Sequence, residues 1–293
     1  MRPDGTRVKD ESAIVQAIPY IMPHRYDAQN FFSDYADMEV LRSYVHRKRR
    51  EGVRISYMSL VLAAYYKAYL ENPKVNRFIM NRKIYQRNHF CVSFVILKTR
   101  ADGTPDETTC KVFFTPEDDV VSINRKIEEI IEKNHESTHD NATDKFANFM
   151  FSVPLLPGLV IGLASFLDKH GWLPRAIIDL SPFHTSLFIT NLASINMGDI
   201  YHHCYEFGTT GVFISMGRPI ANYVSGEYRK KLMPLSVVMD ERICTGVEYS
   251  RFCKSFQHYL AHPEETENPS ALPEKGAAPE AEKTDETKEE AAV

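Results

Sequence analysis

Residues 233 to 246 read MPLSVVMDERICTG. Met233-Pro234-Leu235-Ser236 leads into the apolar run Val237-Val238-Met239, which reads as the end of a buried strand. Asp240-Glu241-Arg242 then breaks the run. Gly246 opens an amphipathic segment with Tyr249, Phe252, Phe256 and Tyr259 at helical spacing. The stretch is a strand, a sharp turn and a helix, and the turn holds Glu241.

Upstream of the turn, two further strand candidates are SLFITNL (Ser186 to Leu192) and GVFISMG (Gly211 to Gly217). NHFCVSFVILK alternates Phe90, Val92, Phe94 and Ile96 with Cys91, Ser93, Val95 and Leu97, as in a strand covered on both faces. TTCKVFFTP, from Thr108, should pair with it across the polar turn Ala101 to Pro105. Helices are expected from Asp37 to Arg50, from Ile55 to Tyr69 ahead of Asn72-Pro73, and after the acidic start Glu117-Asp118-Asp119. Strands and helices mix without strict alternation. The expected fold class is therefore α/β, a mixed β-sheet with helices packed on it.

Phe149 to Leu167 is apolar and uncharged over close to the ~20 residues that span a bilayer. Pro154, Pro157, Gly158 and Gly162 interrupt it, so Pro157 to Lys169 is read as a short buried or subunit-contact helix ending at Gly171. Membrane contact is not expected.

The formal net charge of −4 is unevenly placed. Residues 263 to 293 hold ten acids and three lysines, which leaves 32 basic and 29 acidic residues in the body. Such a body gives no reason to expect nucleic acid as a partner. Arg47-Lys48-Arg49-Arg50 reads as a solvated helix end. The expected organisation is a polar N-terminal segment (1–14), one domain (15–262) and a disordered acidic tail (263–293), too poor in apolar residues to fold. Five scattered cysteines without a CxxC pair, and a polar N-terminus, fit free thiols in a reducing cytoplasm.

With its elements in this order, residues 15 to 262 resemble the chloramphenicol acetyltransferase-like fold, in particular the catalytic domain of the 2-oxoacid dehydrogenase dihydrolipoyl acyltransferases. MPLSVVMDERICTG is similar to that family's MPLSxxxDHRxxDG, and SLFITNLAS to its TFTISNLG. Only ~30 residues precede the first long helix, too few for a lipoyl or subunit-binding module, so a free-standing relative is expected. The resemblance implies a homotrimer with sites between subunits and an acyl thioester, coenzyme A or lipoamide, as cosubstrate. It also implies a turn histidine that removes the acceptor's proton, an aspartate that holds the turn, and a strand or loop hydroxyl that donates to the tetrahedral oxyanion.

Carried over residue by residue, the histidine becomes Glu241 and the aspartate Thr245, while Asp240, Arg242 and Gly246 keep their types. The hydroxyl candidates are Thr190 and Ser181. A glutamate titrates about two units below histidine, and losing a positioned base costs ~10²–10⁴ in rate. Burial against Phe183 or Met239 is one way to raise Glu241 into use as a base, and His184 is a second candidate base in the loop before the strand. His202-His203-Cys204 are adjacent and cannot all face one metal, so no metal site is expected. Cys244 is read as packing. Three functions follow: a binder of acyl thioester with transfer lost or weakened, an active acyltransferase using Glu241 or His184, and a structural or regulatory partner of an active paralogue.

Overall fold

In a computed structural model, which describes residues 2–99, 104–135, 152 and 155–268, the apolar run before the turn belongs to a strand of 14 residues. The strands are β1 (Gly5–Arg7), β2 (Gln29–Asp37), β3 (Arg77–Met80), β4 (Lys83–Arg87), β5 (Phe90–Thr99), β6 (Pro105–Phe114), β7 (Leu187–Asn191), β8 (Val212–Met216), β9 (Ile220–Val224) and β10 (Glu227–Asp240). The helices are α1 (Ala13–Ile21), α2 (Met38–Arg50), α3 (Tyr57–Glu71), α4 (Val120–His135), α5 (Leu156–His170), α6 (Arg175–Leu180) and α7 (Gly246–Ala261).

Seven strands form one mixed sheet in the order β2-β10-β8-β7-β5-β6, with β9 paired to the first half of β10. The β5-β7 and β7-β8 pairs are parallel, and the others are antiparallel. β1, β4 and β3 make a separate three-stranded sheet. The alternation in β10 sends Met233, Leu235, Val237 and Met239 into the main core, where α2, α3, α4 and α7 cover the sheet. α3 is buried nearly all round, and its Tyr65 meets Phe252 and Phe256 of α7 edge-on at 4.9 and 5.9 Å. Such ring contacts add ~0.5–1.5 kcal/mol each to the burial itself.

The expected mixed α/β architecture is present, and Phe90 to Thr99 pairs with Pro105 to Phe114 as anticipated. The turn between them lies mostly outside the described residues. Residues near both ends of the described part contribute to the fold. The N-terminal segment supplies β1, and buried Arg2 bridges Asp4 at 2.8 Å and Asp168 at 2.7 Å. At the other end Pro263–Glu267 forms a 3-10 helix with Thr266 buried and Glu267 paired to Lys48. The rest of the expected tail lies outside the described residues.

The apolar segment forms α5 with Pro157 in its first turn and Gly171 closing it at φ +73°. Residues 149–151, 153 and 154 of that segment lie outside the described residues. Leu159, Leu163 and Phe166 on α5 are exposed in the single chain, not buried. Among the described residues no helix is long and apolar enough to cross a membrane.

Candidate functional site

The residues of β7, β8 and β10 that alternate with the core positions point to the sheet's outer face. Ile189, Ile214 and Val237 enter the main core, so Thr190, Ser215 and Ser236 project on the other side. The registers set these hydroxyls side by side. Thr190 lies opposite Ser215, Ser215 opposite Ser236, and Ser236 opposite Ser33 of β2.

The connection from β7 to β8 lies across this row like a strap. Ser236 Oγ donates to the Asp199 carboxylate at 2.5 Å. Ser215 Oγ donates to the Ile200 carbonyl at 2.6 Å and accepts from its N–H at 3.0 Å. Tyr201 and Ser33 hydroxyls are 2.6 Å apart, and His202 Nε2 lies 3.1 Å from Thr190 Oγ1. Four consecutive residues thus each meet one hydroxyl of the row, which works because a hydroxyl both donates and accepts. The close approach depends on Gly217, where a Cβ would stand 2.3 Å from the Asp199 nitrogen.

His202 is the ionisable end of this arrangement. Its ring stacks on Phe213 with centroids 4.2 Å apart, and Phe213 stacks in turn on Phe188 at 4.8 Å. Burial first, and then the charge of His203, lower the His202 pKa below its ordinary value. The ring is therefore neutral at neutral pH and has an acceptor nitrogen. Nothing in the spacing of the sequence brings residue 202 back onto residue 190. The register of β7 with β8 and the glycine at 217 create the contact.

Glu241 sits at the end of β10, half-buried, with its N–H donating to the Ala28 carbonyl at 2.8 Å. Its carboxylate has no hydrogen bond or ion pair among the described residues. The residues around it are tied down. Asp240 is fully buried and accepts from Arg242 Nε at 2.8 Å and Nη2 at 2.7 Å, with Arg25 Nε at 3.5 Å. Thr245 is exposed and serves as the N-cap of α7, its side chain accepting from the Glu248 N–H while the Glu248 carboxylate accepts from the Thr245 N–H at 2.8 Å. Cys244 is buried, and burial pushes its thiol up to about 12, which suits packing and not nucleophilic work.

Ser181 and His184 belong to a different place. His184 is fully buried, with Nδ1 2.8 Å from Ser181 Oγ and Nε2 3.1 Å from Asp168 Oδ2. Asp168 also holds Arg2, so the imidazole ties the loop before β7 to α5 and the N-terminal segment. Lys111 Nζ closes the same loop by donating to the carbonyls of Ile178, Ser181 and His184. His184 precedes Thr190 by six residues, up to roughly 20 Å of extended chain. As a stand-in base at Thr190 it is out of place, because both ring nitrogens are engaged and no solvent reaches them. Among the described residues no group of three His, Cys, Asp or Glu side chains is placed to hold a metal ion.

The fold of the chain recurs in solved structures. The chain is similar to a probable dihydrolipoamide acetyltransferase from Listeria monocytogenes at 14% identity and TM-score 0.53, covering 91% of this chain and 98% of that one. It is similar to the dihydrolipoamide acetyltransferase of Azotobacter vinelandii at 12% identity and TM-score 0.54, over 88% of this chain and 93% of that one. A chloramphenicol acetyltransferase matches at 14% identity and TM-score 0.54, over 87% and 99%. The chain has the chloramphenicol acetyltransferase-like fold. No family model and no curated protein matches it by sequence. In this acetyltransferase-like fold, β10 and its turn are the elements whose sequence carried the resemblance, and the outer face with Thr190 lies under the strap.

Proposed function

We propose that this chain binds an acyl thioester of the coenzyme A type between neighbouring copies of itself. Thr190 of one copy donates its hydroxyl to the carbonyl oxygen, and Glu241 of the next stands where the acyltransferases carry a histidine. The observation that supports this most directly is a separation. Thr190 lies two strands from Ser236, and Glu241 lies five residues beyond Ser236. At about 4.8 Å per strand and 3.3 Å per residue the two are on the order of 19 Å apart within one copy. Only a second copy can bring a Glu241 to Thr190, which agrees with a homotrimer whose sites lie between subunits. Phe31 and Tyr35 on the outer side of β2, with Leu159, Leu163 and Phe166 on α5, are exposed apolar surface for such contacts.

The Azotobacter structure is described by the role of a serine, a histidine and an asparagine in the catalytic mechanism. Its histidine and asparagine are four positions apart, as Glu241 and Thr245 are, and its serine precedes the histidine by 52 positions against 51 here. With a carboxylate in that place, transfer through the turn is weakened by ~10²–10⁴. An active enzyme with another base is the second reading, favoured by the imidazole of His202 on Thr190. Five scattered cysteines without a CxxC pair fit a cytoplasmic setting for either reading.

Calorimetry with coenzyme A, and coenzyme A release from acetyl-CoA with a panel of thiol and alcohol acceptors, test the proposal. Binding is expected, with slow release, and Glu241→His combined with Thr245→Asp is expected to raise the rate. A chain that binds nothing at millimolar coenzyme A refutes the reading and leaves a structural partner of an active paralogue.

A further inference from the structure

Resting on the reading that Thr190 faces an acyl thioester, we propose that His202 is the acid–base imidazole of this site, supplied by the chain's own strap in place of the one missing from the Glu241 turn. The turn presents Glu241 without a single side-chain partner among the described residues. The strap, by contrast, fixes His202 at two points: its face on Phe213 and its Nε2 at Thr190 Oγ1. The preceding three residues are pinned to Ser236, Ser215 and Ser33, so the ring is held by sheet and not by a free loop. A base must be neutral before it acts, and burial keeps this ring so at neutral pH. His203 is the ionisable neighbour whose charge acts on it.

A hydroxyl and an imidazole nitrogen 3.1 Å apart make a two-point site for a reacting centre. An acceptor thiol or alcohol that takes the place of Thr190 at Nε2 gives its proton to the ring as its sulfur or oxygen bonds to the thioester carbonyl carbon. Thr190, freed from the ring, donates to the oxygen that becomes negative. Collapse breaks the carbon–sulfur bond to coenzyme A, and the imidazolium returns the proton to the leaving thiolate. No oxidant or metal is required.

His202→Gln is the chosen variant, because its amide oxygen can accept from the Thr190 hydroxyl as Nε2 does, yet cannot carry the proton. The full-length chain is assayed with acetyl-CoA and the acceptor that releases coenzyme A fastest, across pH, beside Glu241→Gln and His202→Ala. The expected result is a ~10²–10⁴-fold fall for His202→Gln with coenzyme A affinity within about twofold of the parent. Loss of the acid limb of the rate profile and partial rescue of His202→Ala by added imidazole are expected too, neither of which a merely structural role would give. Coenzyme A binding with His202→Gln turnover within about fivefold of the parent, or no turnover in the parent with any acceptor, overturns this inference alone. Absence of coenzyme A binding by the parent overturns the proposed function and this inference with it.

Discussion

Neighbouring residues of the turn are expected to respond to substitution in opposite ways. Asp240→Asn keeps the shape of a side chain that is fully buried but removes the charge that two buried guanidiniums share. Arg242 donates to both carboxylate oxygens. Arg25 Nε has no hydrogen-bond partner among the described residues, and Asp240 at 3.5 Å is its compensating charge. In the variant an amide N–H must face a guanidinium, donor against donor. Removing one member of a buried ion pair costs ~3–5 kcal/mol, mostly because the partner charge is left uncompensated. For a domain of this size each kcal/mol moves the midpoint by ~2–4 °C, so a fall of roughly 10 °C is expected. Glu241→Gln changes a half-buried carboxylate without partners and should stay within ~0.5 kcal/mol. Urea titrations at one fixed protein concentration give both values, since self-association would otherwise enter the comparison. An Asp240→Asn chain within ~1 kcal/mol of the parent, or a Glu241→Gln chain that loses more than ~2 kcal/mol, would refute the division of the turn into an anchored and a free carboxylate.

Gly217→Ala places a methyl against the Asp199 backbone nitrogen and should cost ~1–3 kcal/mol while loosening the strap, which faster proteolysis between Met197 and Tyr205 would register. His89 is half-buried with its pKa pushed down to about 3, first by burial and then by Arg87. Because the folded ring resists the proton that the unfolded ring accepts, stability should fall as pH is lowered from about 6.5 towards 3, by up to a few kcal/mol. A His89→Gln chain lacks that contribution, so the parent's stability relative to it should decline across the same window, and parallel curves would contradict the assignment.

How far these features were legible follows from what surrounds each residue. β5, α3 and the second half of β10 are covered by apolar neighbours, so periodicity alone marks them. β2 reads QNFFSDYAD and was not recognised as a strand, because it pairs on one side only and turns Phe31, Ser33 and Tyr35 outward. The first half of β10 was missed with β9, for their hairpin turns at Ser225 and Gly226 with φ +53° and +82° and carries mostly exposed side chains. Thr190, Glu241 and Thr245 were reached through resemblance to a motif and not through any pattern of their own. His202 lay outside both routes: its meeting with Thr190 is a property of the fold, made by a connection that returns across the sheet.

A proton carrier is only as useful as its position is fixed, and the two candidates differ in that respect more than in their acidity. Thr245 is engaged in capping α7 and so gives the turn a helix start but no grip on the Glu241 side chain. The strap shows the opposite arrangement, with each of residues 199 to 202 held by a hydroxyl of the sheet and the imidazole at the end seated on an aromatic ring. His202 and Thr190 also meet within one chain, whereas Glu241 is on the order of 19 Å from Thr190 in that chain. A base on the same protomer as the hydroxyl, as proposed for His202, would need no second copy to supply the proton carrier.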